Sequence, residues 1–170
     1  MSEQKWTDKN IASLMDKLAN NDGMIRQKSR ESLVALGGPA VSFLTQALQN
    51  SKSDQVRWEA AKALGEIDDA RSIPTMVKAL EDSNSDVAWL AADALRKFRK
   101  AAWAPLLQAL IECGSDSVLL RQGAHHVFLN QKEEGFNDLL AILTKALKLD
   151  AVPESVPEAA YELSKRMAAQ

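Results

Sequence analysis

Apolar residues return along this chain at a fixed distance. Ile25, Val56, Val87 and Val118 stand 31 residues apart, and eleven residues after each come Leu36, Ile67, Phe98 and Leu129. Eight residues after the first three come Leu33, Leu64 and Leu95. A period of this size marks stacked helical units, none of which can bury its apolar face alone. Within the first unit, Ile11, Leu14, Met15 and Leu18 follow the spacing of one buried helix face. The run Asn20–Gly23 breaks that helix, and the spacing predicts a second over 23–36, closed by Gly37, Gly38 and Pro39. The same alternation predicts helices over about 39–49, 54–67, 70–81, 85–98, 101–113, 116–130, 136–149 and 155–168. Short polar connections make consecutive helices antiparallel. The expectation is all-α: one domain over 1–170, in units 8–36, 39–67, 70–99, 101–130 and 136–168. Alanines at 60, 61, 63, 91, 92 and 94 let these helices approach closely, and Trp6 is expected to seal the N-terminal end of the core.

Turning 100° per residue from each leading apolar residue, positions 0, +4, +8 and +11 fall within roughly 80° of one another and form the buried face. Positions +2, +3, +6 and +10 fall on the far side, between roughly 200° and 300°. That far side holds Trp58, Glu59, Lys62 and Glu66 in the second unit, Trp89, Leu90, Asp93 and Lys97 in the third, and Leu120 and Arg121 in the fourth. The +2 row therefore reads Gln27, Trp58, Trp89, Leu120. A row of large apolar residues off the core face marks either a binding strip or packing against a neighbouring unit.

Composition narrows the function classes. The net charge of −2 provides no footprint for nucleic acid or an anionic membrane. Cys113 is the single cysteine, which rules out an internal disulfide and fits a reducing compartment. No stretch approaches the roughly 20 apolar residues of a membrane span, and residues 1–30 lack a leader-like apolar core. A cytoplasmic protein, monomeric or weakly dimeric, is the expectation. His125 and His126 are adjacent and point about 100° apart on a helix, so a half-buried role is expected rather than metal ligation. Cys113 has no neighbouring base to make it a nucleophile. Trp103, at the start of a first helix, is expected to pack between units.

The run VRWEAAKALGEIDDARSIPTMVKALED at 56–82 resembles the HEAT-like repeat of the phycobilin-lyase type. The resemblance covers nearly the whole chain, strongest at 53–82 and weakest at the ends, and units three and four depart from it with Ala88 and Leu119 where the Arg of Val-Arg stands. It implies a right-handed α-solenoid of about five stacked hairpins, a HEAT/armadillo-like superhelix. It also implies that the Trp58–Trp89 face lines a concave groove that grips partners. Arg57 would tie its unit to the next through an acidic residue before a helix, with Asp22, Asp54 and Asp86 available.

The functional expectation is a non-catalytic scaffold without cofactor or metal, binding another protein or peptide. A chromophore-handling, phycobilin-lyase-like subunit is the alternative. A HEAT-like DNA glycosylase, whose Trp, Asp and Arg would be imitated by Trp58, Trp89, Asp93 and Arg121, is disfavoured by the net charge. The paired His-Glu motifs of an iron-dependent HEAT-type hydroxylase are absent.

Overall fold

Ten α-helices run through residues 8–170, the part of the chain that the computed structural model describes, and no strand occurs among the described residues. They are α1 (Asp8–Lys17), α2 (Gly23–Leu36), α3 (Val41–Asn50), α4 (Asp54–Ile67), α5 (Ile73–Ala79), α6 (Ser85–Phe98), α7 (Lys100–Cys113), α8 (Val118–Phe128), α9 (Asn137–Ala146) and α10 (Ser155–Ala168). Short 3-10 turns at Gly38–Ala40 and Ala70–Ser72 lead into α3 and α5. The expectation for Trp6 lies outside the described residues.

The second helix of each of the first four units starts on a side-chain cap. Asp22, Ser53, Asn84 and Ser117 accept hydrogen bonds from backbone N–H groups of the first turns of α2, α4, α6 and α8, which satisfies donors that a helix start otherwise leaves open. Each also ends alike. Gly37, Asp68, Arg99 and Asn130 take positive φ angles of 66°, 58°, 52° and 62°, turning the chain out of the helix toward the next unit.

Helices α1, α3, α5 and α7 pack in sequence as one layer, and α2, α4, α6 and α8 as the other, which makes an α-solenoid of helical hairpins. Leu33, Leu64 and Leu95 are each fully buried between the layers, as their spacing predicts. Small residues set the approach of α4 to α6: a methyl added at Gly65 would stand 3.2 Å from the Ala94 Cβ.

Two features depart from a regular stack. The first lies in α8. Counting by 31 places Val118 in the core and Leu120 on the surface, yet Val118 is 48% exposed and Leu120 is 1% exposed. The caps explain this. Asp22, Ser53 and Asn84 are 31 apart, but Ser117 follows Asn84 by 33. Two extra residues in the turn after α7 rotate the counted pattern by roughly 200°. Leu120-Arg121 is therefore the counterpart of Ile25-Arg26 and Val56-Arg57, and the fourth unit keeps its arginine.

The second departure is the terminal pair. Helix α10 packs along α7, while α9 lies beside α8, so the two layers are exchanged in this hairpin. The crossing is anchored by Trp103, which is buried as an inter-unit packing residue with its ring 6.0 Å from Phe128 and 6.0 Å from Phe136. Burying Phe136 against Trp103 brings the chain across the end of α8 before α9 begins, and the first-layer position on α7 is left for α10.

Candidate binding face

The second helices expose the edge on which the +2, +3, +6 and +10 positions were counted. The structure divides those residues into three groups. Leu120 and Arg121 belong to the interior, for the reason of register given above. Arg121 donates from Nη1 to the carbonyls of Gly114 and Ser115, both at 2.9 Å.

Glu59 is also interior, 3% exposed rather than solvated. Helix α2 lies alongside α4, so the flank at +3 meets a neighbouring helix instead of water. Arg30 Nη1 donates to Glu59 Oε2 at 2.5 Å and Arg26 Nε to Oε1 at 3.3 Å. A buried carboxylate needs such partners, because its desolvation is otherwise uncompensated.

The remaining residues line the face. Trp58 is half-buried under two cations, with Lys62 Nζ 5.0 Å and Arg30 Cζ 5.8 Å from its ring centroid. Trp89 is 57% exposed, and its ring centre lies 5.8 Å from that of His126. The two indoles thus have different neighbours, and no aromatic pair among the described residues joins them into one strip. Leu90 is half-buried against the core. Asp93 and Lys97 pair at 3.0 Å, and Glu66 reaches Arg30 at 3.9 Å. A polar groove of about 470 Å³ runs beside Arg26, Trp58, Glu59 and Lys62, and a more apolar cleft of about 250 Å³ lies between α6 and α8 beside Trp89 and His126.

His125 and His126 are half-buried, and the Nε2 of each has no hydrogen-bond partner among the described residues. No group of three or more His, Cys, Asp or Glu suited to a metal ion occurs among the described residues. Cys113 is exposed at its helix end. Among the described residues no helix is long and apolar enough to cross a membrane.

Arg57 does tie its unit to the next, through Asp82 rather than Asp22, Asp54 or Asp86. Its Nε and Nη2 meet the two Asp82 oxygens at 2.7 and 2.9 Å, and its Nη1 donates to the Ser51 carbonyl at 3.0 Å. Asp54 instead accepts from Asn84 Nδ2. Burial pushes the Asp82 carboxyl up, but hydrogen bonds from Arg57 and from the Asn84 backbone, with the Arg57 charge, outweigh it and hold the group below its ordinary value. A carboxyl depressed in the folded state contributes stability above its unfolded pKa of about 3.9 and loses it as pH falls through the folded value. Asp82→Asn should therefore be less stable than the parent at pH 7. Denaturant melts should show that gap closing steadily below about pH 4. A gap that stays constant to about pH 2 would show that the carboxylate charge contributes nothing.

No curated protein matches the sequence. The family of HEAT repeats matches residues 41–126, half of the chain. That segment runs from the start of α3 almost to the end of α8 and holds the capped second helices α4, α6 and α8, the Val56-Arg57 pair and the buried Leu64 and Leu95. The match is to the repeat and carries no lyase activity with it. On this match and on its stacked hairpins, the chain belongs to the HEAT repeat family.

Proposed function

We propose that the chain is a non-catalytic module that binds a partner polypeptide across the exposed edge of α4 and α6 and the adjoining part of α8. The observation that carries this reading is Trp89. An indole 57% exposed on a helix that is otherwise well packed retains apolar area that only a partner would cover. Trp is enriched at binding hot spots because it supplies large contact area with little conformational freedom to lose. Trp58, Lys62, Glu66, Leu90, Asp93 and Lys97 would surround it. Their mixed signs suit a peptide or protein better than a polyanion. Stacked repeats of this kind build extended surfaces for binding, and the repeat brings no catalytic constellation of its own.

Selection of short displayed peptides on the wild-type chain, followed by titration on Trp89→Ala, tests the reading. The variant should weaken the selected peptides by about 30-fold, equivalent to about 2 kcal/mol, with an unchanged melting temperature. A lowered melting temperature with unaltered affinity per folded molecule would make Trp89 a packing residue and reject the proposal. A shift in bilin absorbance on mixing with the chain would instead favour chromophore handling.

A further inference from the structure

Three units share one arginine device. Counted from the cap of each second helix, the arginine stands four residues after the cap and folds back over the carbonyl two residues before it. Arg26 donates to the Asn20 carbonyl at 2.7 Å, Arg57 to Ser51 at 3.0 Å and Arg121 to Ser115 at 2.9 Å. In the third unit the cap is Asn84, the matching carbonyl is that of Asp82, and the arginine position is Ala88. A methyl cannot reach that carbonyl, and among the described residues no donor does.

The space is open as well. The cleft of about 250 Å³ between α6 and α8 is lined by Asp82, Ser83, Ala88, Trp89 and Gly123. Gly123 has no room for a side chain, since a methyl there would come within 2.8 Å of Leu80, so this wall stays flat. Trp89 forms the opposite wall, and contact with the His126 ring helps to hold its indole. No Lys or Arg lines the cleft, and because both oxygens of the Asp82 carboxylate are held by Arg57, the group that Asp82 leaves for a donor is its backbone carbonyl.

We propose that this cleft receives an arginine side chain from the partner polypeptide, in the place that Ala88 leaves empty. The inference rests on the binding-face reading and names the chemistry of the partner. A guanidinium satisfies every element of the site. It donates in its plane to the Asp82 carbonyl, as the chain's own arginines do in the other units, and its face stacks on the Trp89 indole. An ammonium provides a point charge but no flat face, and an aliphatic side chain leaves the carbonyl unpaired.

The test uses the full chain and three probes: N-acetyl-arginine methylamide and its lysine and norleucine counterparts. The readout is the Trp89 indole N–H resonance, assigned by its loss in Trp89→Phe. The arginine compound should shift it saturably, binding at least about fivefold more tightly than either counterpart. Ala88→Arg should fill the cleft with the chain's own guanidinium, abolish probe binding and raise the melting temperature by about 2–4 °C. Ala88→Met, which fills the space without a charge, should also abolish binding, and it decides the matter should Ala88→Arg fail to fold. Equal binding of norleucine, no saturable shift, or binding that survives the filled cleft would overturn the proposal. Displayed peptides that depend on Trp89 but lack arginine, and still bind Ala88→Met, would sink this inference alone and leave the binding face standing. Probe binding without any Trp89-dependent peptide would reject the face as a protein site while the guanidinium pocket remained.

Discussion

Glu59→Ala is expected to destabilise the fold by about 3–5 kcal/mol, more than any surface change on the same helix. The carboxylate is 4% exposed at its side chain, and Arg30, 10% exposed, donates to it directly. Removing the acid leaves the Arg30 guanidinium buried against α4 with only the half-exposed Glu66, 3.9 Å away, as a counter-charge, and the cost is the desolvation of a cation that has lost its close partner. Arg26 suffers less, because it is 20% exposed and also bonded to the Asn20 and Asn21 carbonyls. The mechanism makes a second, opposite expectation. Replacing both partners, as in Arg30→Met with Glu59→Leu, should recover most of the loss, since apolar side chains in that space need no partner. Urea unfolding of the single and double variants measures both. A single-variant loss under about 1 kcal/mol would mean that water reaches Arg30 and the pair is effectively a surface one.

Leu64→Ala should cost about 2–5 kcal/mol. Leu64 is fully buried, and alanines 60, 61 and 63 around it are equally enclosed. Such small neighbours have no long side chains to swing into the vacancy, so the cavity persists and the cost belongs in the upper part of that range. Because stacked repeats are coupled only to their neighbours, the loss in this central unit should also lower cooperativity and broaden the transition. A loss below about 1 kcal/mol with an unchanged transition slope would show that α3 and α4 close over the gap.

The local devices of this chain were legible without coordinates. The helix bounds of α2, α4, α6 and α10 follow from apolar spacing and from breaker residues, both properties of adjacent positions. Leu33, Leu64 and Leu95 announce the core because a strict period leaves them one inward direction. The register of α8 was also written in the sequence, since Ser117 and the Leu120-Arg121 pair mark the true start. Val118 obscured it by happening to keep the 31-residue interval, and a single apolar residue is a weaker marker of register than a cap joined to a two-residue motif.

Other features arise only in three dimensions. Glu59 counts as a surface residue on an isolated helix, and it is buried because Arg26 and Arg30, about thirty residues earlier, come alongside it. Trp58 and Trp89 hold the same position in the repeat, yet one lies under cations and the other stands open beside His126. Their surroundings come from neighbouring helices, which the repeat does not copy. The exchange of layers in the last hairpin depends on Phe136 finding Trp103 across the turn. Periodicity determines which residues face inward along one helix. Which helix lies next to it, and therefore which charges are paired and which indole stays open, is decided by packing between segments far apart in the chain.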